Sequence, residues 1–236
     1  MRQRGGDTHK RGRLAAPVLS DKLQPKGRVE IWICKGSPKL IVGNAVSPGA
    51  GGSPIYDSAD FNFDGCLVGR KLDVMNIIVN QGKDASITAI ASGQQNPVLR
   101  MAIGDRGTLA SDSTVPKVPL ATQTALFNEI YRADVDAVVI NVGTPTVHQV
   151  QFLKTFNAVN IPLSAFSNQA SPVVNEVGLI TAPAGGGLNP FPRAPVSAPA
   201  LPVADERLFS IRTFKSFPFE AANDIALAIR YTIFQE

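Results

Sequence analysis

The stretch from Leu99 to Arg132 limits the folds open to this chain more than any other part of it. A short apolar strand, Val98 to Ile103, is predicted to end at the turn Gly104-Asp105-Arg106-Gly107. Such a cluster is typical of a tight turn, because glycine tolerates positive φ and aspartate hydrogen-bonds its own backbone. A polar loop with two prolines leads to a second ordered segment, Leu126 to Arg132. We predict a rigid corner that fixes where two strands enter a sheet.

Strand-like runs separated by turn residues recur along the rest of the chain. Apolar residues alternate with period two over Gly27–Cys34, and similar runs follow at Lys39–Val42, Arg207–Phe214 and Ile225–Phe234. Helical spacing is found only over Asn80–Gly93. The 20 glycines and 18 prolines among 236 residues favour turns over long helices. We therefore predict a mainly β fold: an antiparallel β-sandwich-like domain with one short helix, long Gly/Pro-rich loops and an extended basic N-terminal arm.

These patterns divide the chain into three predicted segments. Residues 1–25 are polar and basic, and we expect a flexible arm that orders only against a partner. Residues 26–97 are predicted to form a β-hairpin, made by the first two strands, and the short helix, with a surface excursion at 43–66. Residues 98–236 are predicted to form a β domain that carries a Pro-rich insertion at 183–202.

Few residues offer catalytic or metal chemistry. The histidines are His9 and His148 and the cysteines are Cys34 and Cys66, a set that indicates neither a nucleophilic triad nor a zinc site. Asp60 to Gly65 is faintly similar to a calcium-binding loop, but the bidentate glutamate that should follow is absent. We predict no catalytic residue, no cofactor site, no metal site and no enzymatic activity.

The net charge of +4 is concentrated near the N-terminus of the chain. Basic residues crowd the first 28 positions, which suits either a solvated tail or an arm that docks on an acidic partner or on nucleic acid. No aromatic residue lies between these charges, so no platform for stacking single-stranded bases is indicated.

Three motifs, in this order, resemble the N-terminal domain of phage tail-collar fibre proteins. They are Met101-Ala102-Ile103-Gly104-Asp105, Leu126-Phe127-Asn128-Glu129-Ile130-Tyr131-Arg132 and Asn175-Glu176-Val177-Gly178-Leu179-Ile180. In that family a MAVGDG-like, an L-x-N-E-x-x-R and an E-V-G-L-F segment follow one another. The resemblance covers residues 98–236, and Arg106 departs from it by standing where the family usually has glycine. The run NIIVNQGKDA at 76–85 is similar to the openings of phage virion structural proteins.

The resemblance implies a non-enzymatic bacteriophage virion structural protein of the tail, acting as a collar, baseplate or tail-fibre attachment subunit. It implies a homo-oligomer that also contacts other tail, baseplate or fibre proteins, made in the host bacterial cytoplasm and located in the virion. Nucleic acid is not the expected partner of this subunit, and no membrane partner is expected, because no apolar run approaches the roughly 20 residues needed to span a bilayer. A fibre would continue into shaft repeats, so the end of the chain at 236 favours an adaptor or baseplate role. The structural motif residues carried over are Gly104, Asp105, Asn128, Glu129, Arg132, Glu176 and Gly178.

Three hypotheses follow from these residues. Glu129, Arg132 and Glu176 are the repeated charged positions, and we expect a structural ion-pair network between them. The alternative function is a nucleic-acid-contacting virion or connector protein that uses the basic arm, which salt-dependent DNA binding lost on deletion of residues 1–28 would distinguish. A tail glycan depolymerase is a third possibility and would need a converging pair of carboxylates in a groove.

Overall fold

The computed structural model describes residues 26–48, 54–92, 98–141, 148–181 and 206–235. Within these ranges the chain is mainly β, with one α-helix and one large curled sheet. The predicted arm at 1–25 and the predicted insertion at 183–202 lie outside the described residues.

The described residues contain fifteen strands, one α-helix and three single 3₁₀ turns. The strands are β1 (Lys26–Lys35), β2 (Lys39–Val42), β3 (Ala45–Pro48), β4 (Pro54–Tyr56), β5 (Ala59–Asn62), β6 (Leu67–Ile78), β7 (Val98–Gly104), β8 (Thr108–Leu109), β9 (Asp112–Pro116), β10 (Glu129–Asp134), β11 (Ala137–Asn141), β12 (His148–Asn157), β13 (Val173–Thr181), β14 (Arg207–Pro218) and β15 (Ile225–Gln235). The helix is α1 (Asn80–Ser92), and the 3₁₀ turns are Ala158–Asn160, Leu163–Ala165 and Ala221–Asn223.

Eleven strands form one sheet in the order β10-β7-β13-β14-β6-β1-β15-β12-β11-β4-β3. Neighbouring strands are antiparallel except for β11 and β4, which pair in parallel over two residues. The sheet is narrow in its middle, because β14 and β6 share only the pairs Ser210–Ile78 and Ile211–Ile77. At this junction β6 ends at Ile78, and no residue of β6 before Ile77 pairs with β14.

The curl of the sheet brings its two halves onto one hydrophobic core. Met101 of β7 and Leu179 of β13 belong to the same buried cluster as Ile31 of β1 on the other side of the junction. Near the outer strands, the ring of Tyr131 meets that of Phe156 edge to face, with centroids 6.1 Å apart. The alternation that the sequence shows in β1 and β15 is therefore the inward face of this core.

The predicted hairpin between the first two strands is wrong. β1 is flanked by β15 and β6, whereas β2 pairs with β5 in a separate two-stranded sheet. Val29 and Ile31 are completely buried, so β1 needs a neighbour on each side and lies deep in the sheet. The side chains of β2 are mostly exposed, and local turn chemistry at Gly36 could not compensate for losing long-range burial.

Residues 43–66 are not simply a surface excursion, because they contain β3, β4 and β5. Phe61 of β5 is buried and packs edge to face on Trp32 at 5.8 Å between ring centroids. Asp57, which follows β4, accepts the backbone N–H of Asn44 at 2.9 Å and so orders the link between β2 and β3. A few aromatic contacts thus fold a segment whose composition is typical of a loop.

The strands that flank the predicted insertion, β13 and β14, are paired up to the last residue of β13 and the first residue of β14. Thr181 and Arg207 are directly opposite each other in the antiparallel register, and the Thr181 hydroxyl donates to the carbonyl of Arg207 at 3.3 Å. The two flanks of residues 182–206 are therefore held next to each other by the strands themselves.

The predicted helix is confirmed as α1, and it lies close against β14. The backbone N–H of Val79 donates to the carbonyl of Phe209 at 3.2 Å just before the helix begins. A Cβ atom at Gly82 would lie 2.2 Å from the same carbonyl oxygen. Glycine at this position therefore sets how near the helix can approach the sheet.

We expect Gly82→Ala to destabilise the protein by about 1–3 kcal/mol, because the helix must move away from β14. On an exposed helix the same change would stabilise by up to about 1 kcal/mol, so the sign of the effect is informative. Asp84→Ala, at an exposed position of the same helix, is the control and should be neutral or slightly stabilising. Urea unfolding measures both, and equal stabilities would contradict the close packing.

Candidate functional site

The motif residues that lie far apart in sequence meet at one end of β7. Gly104, the last residue of β7, is opposite Glu129 of β10 on one side and Glu176 of β13 on the other. Asp105 directly follows β7, and Asn128 directly precedes β10. We call these five residues the corner.

Glu176 is the centre of the corner. Its side chain is completely buried, and its carboxylate accepts three backbone N–H groups. Oε1 accepts from Asn128 at 2.8 Å and from Arg106 at 3.3 Å, and Oε2 accepts from Phe127 at 2.8 Å. Buried N–H groups without partners are costly, so this carboxylate holds the segment after β7 and the segment before β10 in place.

Burial dominates the electrostatics of Glu176. It raises the pKa of this carboxyl to about 7, although the N–H groups of Asn128, Phe127 and Arg106 favour the charged form. The negative charge of Asp105 acts in the same direction as burial. Glu176 is therefore poised to change protonation near neutral pH.

Gly104 and Gly178 are required for space rather than for their backbone angles. A Cβ atom at Gly104 would lie 2.3 Å from the Asn128 carbonyl oxygen and 2.4 Å from Glu176 Oε1. At Gly178 it would lie 2.8 Å from Leu126 Cδ1. The positive φ expected in the turn at 104–107 is wrong, since among the described glycines only Gly36 and Gly65 have positive φ.

Asp105 connects the turn after β7 to two other segments of the protein, at Asn128 and Ser167. Its Oδ1 accepts from Asn128 Nδ2 at 2.7 Å, and its Oδ2 accepts the backbone N–H of Ser167 at 2.5 Å. Asn175 of β13 supports the same turn, because its Oδ1 accepts the N–H of Gly107 at 2.6 Å. The carboxylates and amides of this region are thus engaged in holding backbone.

A buried group of arginines and acids lies beside the corner, and we call it the arginine cluster. Arg132 makes a bidentate pair with Glu129, with both nitrogen–oxygen distances 2.5 Å. Glu206 bridges Arg132 and Arg100, whose Nε also pairs with Asp134 at 2.9 Å. The side chains of Arg100, Arg132 and Glu206 are less than one-tenth exposed.

The expected network of Glu129, Arg132 and Glu176 is thus only partly present. Arg132 pairs with Glu129, but Glu176 takes backbone partners instead, and Glu206 and Arg100 complete the cluster. No spacing rule could have found Glu206, because 106 residues separate it from Arg100.

An open groove of about 400 Å³ borders the corner. Its lining comprises Val118, Leu120 and residues 122–127, and the side chains of Val118 and Leu120 are apolar and exposed. Phe127 forms one wall, with Lys117 Nζ 4.6 Å from its ring centroid. Because the N–H of Phe127 donates to Glu176, the corner positions this wall. The lining combines apolar side chains with the polar residues Thr122, Gln123 and Thr124 and holds no charged residue, which suits contact with another surface rather than acid–base chemistry.

The candidate calcium loop does not gather its carboxylates. Asp60 pairs with Arg230, and Asn62 Oδ1 accepts the backbone N–H of Asp64 at 2.7 Å. Among the described residues, no group of three or more His, Cys, Asp or Glu side chains is arranged to hold a metal ion. The expectation of no catalytic, cofactor or metal site remains a prediction.

Comparison of the chain with models of protein families, with curated proteins and with solved structures finds no match. No helix among the described residues has the length and apolarity needed to cross a membrane. The resemblance to the tail-collar fibre family rests on the three motifs, whose residues form the corner.

We expect Glu176→Gln to flatten the pH dependence of stability between about pH 4.5 and pH 7. The folded-state pKa of about 7 exceeds the ordinary value of 4.5, so the folded protein binds more protons in this window. The resulting stabilisation, on the order of 3 kcal/mol, is complete below pH 4.5 and is lost as the pH rises through 7.

Chemical denaturation at a series of pH values measures this slope. The chain has only two histidines, and the comparison of Glu176→Gln with the wild type cancels the other carboxyl groups, which titrate in both proteins. Asp112→Asn is the control, because hydrogen bonds from Thr114 hold the pKa of Asp112 below its ordinary value and its titration lies outside the window. Parallel curves for the wild type and Glu176→Gln would refute the assignment.

Arg132→Met should destabilise the protein by about 3–5 kcal/mol, because Glu129 and the buried Glu206 lose a shared cation. Arg28→Met is the matched control: its pair with Asp73 is exposed, with side chains 47% and 40% accessible. That change should cost no more than about 1 kcal/mol. Thermal or urea unfolding compares the two, and similar small losses would show that the arginine cluster is not structural.

Proposed function

We propose that this protein is a non-enzymatic structural subunit of a bacteriophage tail, acting as a collar, baseplate or tail-fibre attachment subunit. It works as a homo-oligomer or within a larger symmetric assembly. The observation that carries the proposal is the convergence of the three tail-collar-like motifs on the corner.

Convergence adds weight to motifs that are individually short. Gly104 from the first motif, Asn128 from the second and Glu176 from the third touch one another through hydrogen bonds and strand pairing. A chance match of scattered residues would not require them to meet. The order of the motifs and their contacts therefore support a shared structural unit.

The surface next to the corner supports a role in contact rather than in catalysis. Val118 is 80% exposed and Leu120 is 64% exposed, and both precede Phe127, whose backbone N–H donates to Glu176 of the corner. Exposed apolar side chains on a fixed segment are typical of protein–protein contact. We propose that other tail, baseplate or fibre proteins are the partners.

We further propose that the curled sheet is an antiparallel β-sandwich-like domain. Its two halves would meet at the narrow β14–β6 junction and enclose the core that both contribute to. Such a domain would be made in the host bacterial cytoplasm and incorporated into the virion tail.

Purified phage particles from cells that carry this gene test the proposal. We expect mass spectrometry to detect the chain in the particles and immunogold labelling to place it on the tail. Absence from particles, a location in the head, or hydrolysis of host glycans by the purified chain would overturn the proposal. Salt-dependent DNA binding that disappears with residues 1–28 would favour the nucleic-acid alternative instead.

A further inference from the structure

Strand β6 has an open edge over most of its length. Its residues Leu67–Asn76 pair with β1 on one side, whereas β14 pairs only with Ile77 and Ile78. In the described part of the chain, no other strand pairs with β6. At 3.3 Å per residue the open stretch is about 33 Å long. Its outward N–H and C=O groups can pair with an added strand.

This edge carries exposed apolar side chains. Leu67 is 72% exposed, Met75 is 49% exposed and Val68 is 44% exposed. Native edge strands are usually shortened or blunted with charges, so a long and partly apolar edge points to a partner. Of the sheet's two terminal strands, β3 is a four-residue strand that ends in proline and β10 is a six-residue strand.

A bulge at Gly69 determines which side chains share a face of β6. The register with β1 shifts between Ile33 and Cys34, which leaves Gly69 without an opposite residue. Val68, Lys71, Asp73 and Met75 consequently lie on one face, opposite alternate residues of β1. The charges on this face are already ordered within the chain. Lys71 Nζ lies 2.6 Å from Glu30 Oε1, and Arg28 Nε lies 2.7 Å from Asp73 Oδ1.

We propose that two copies of this chain associate through β6, paired antiparallel about a two-fold axis at Leu72. A two-fold axis normal to a sheet brings residues of the same face opposite each other. With the axis at Leu72, Lys71 lies opposite Asp73 of the partner subunit, and this contact occurs twice. An axis at Lys71 or at Asp73 would instead place like charges together, which is destabilising.

The same register matches the length and shape of the open edge. Met75 lies opposite Val68 of the partner subunit, where the bulge at Gly69 lets two residues oppose one. Leu67 then lies opposite Asn76 of the partner subunit. The pairing thus uses the open stretch from end to end and stops where β14 begins to pair with Ile77.

Charge complementarity extends beyond the two edge strands. Arg28, Asp73, Lys71 of the partner subunit and Glu30 of the partner subunit form a row of alternating sign on one face. The inference names the self-association surface of the proposed tail subunit, and its biological meaning rests on that proposed function. Its geometry rests on β6 alone.

Disulfide cross-linking of the full chain tests the register. In a Cys66→Ser background, Leu72→Cys places each new thiol opposite itself across the axis, about 4.5 Å apart at Cβ, which is within the reach of a disulfide. We expect most of the protein to form a covalent dimer under mild oxidation. The native Cys34 is buried and supplies no competing thiol.

Exposed positions provide the matched controls, since Leu72 also packs against the core. Lys71→Cys and Asp73→Cys should each form little dimer alone, because neither faces itself, but a mixture of the two should form the mixed dimer. This pair keeps the test valid if Leu72→Cys does not fold. Efficient dimers of Lys71→Cys alone, or no mixed dimer, would overturn the register.

Sedimentation velocity of the unmodified chain over a range of concentrations tests the association itself. We expect a monomer–dimer equilibrium that Met75→Lys weakens roughly tenfold, because the change acts at two symmetric contacts. Ile41→Lys, at a 55% exposed apolar position of β2, should leave it unchanged. A monomer at every concentration would overturn this inference and leave the proposed function to the particle experiment, whereas a dimer absent from phage particles would overturn only the proposed function.

Discussion

The carboxylate of Glu176 is the interaction on which the corner depends. A buried carboxyl group is tolerated only if hydrogen bonds replace the water it has lost, and most of all in its charged form. The donors are backbone N–H groups from two segments that are distant in sequence, so the same bonds that satisfy Glu176 fix where β7 ends and β10 begins. The two glycines nearby belong to the same arrangement, because side chains there would occupy the space that the carboxylate and Leu126 need.

Backbone hydrogen bonds are also lacking in the middle of the sheet, since β14 and β6 pair over only two residues. The polar side chains of Asn76, Ser210 and Tyr231 lie at this point. Tyr231, completely buried, shares a 2.6 Å hydrogen bond with Ser210 Oγ, and its hydroxyl also accepts from Asn76 Nδ2 at 2.6 Å. Ser210 in turn donates to the carbonyl of Ile77 at 2.8 Å. Burial raises the pKa of the Tyr231 hydroxyl, which therefore remains neutral. Side chains thus supply hydrogen bonds where strand pairing stops.

Local patterns predicted the elements better than their partners. The sequence pattern directly predicts β1, β14 and β15 from their period-two runs, and α1 from its helical spacing. Burial of one face of each element imposes these patterns. The hairpin between β1 and β2 was wrong because strand pairing is decided by burial across the whole core. The glycines of the predicted turn were expected to provide positive φ, but Gly104 instead leaves space for neighbours from the β10 and β13 sides, which no local pattern contains. Glu206 could not be found at all, since its two arginines come from other strands.

The pairing of Thr181 with Arg207 has a consequence for how this protein can change. Pairing of β13 with β14 already holds Thr181 and Arg207 next to each other. The connection between these two residues therefore does not have to span a distance. Doubling the length of such a connection costs only about 0.6 kcal/mol in loop-closure entropy. Material can therefore be added or exchanged at this rung while the sheet stays the same, up to a sharp boundary at Glu206, whose carboxylate is committed to the two arginines.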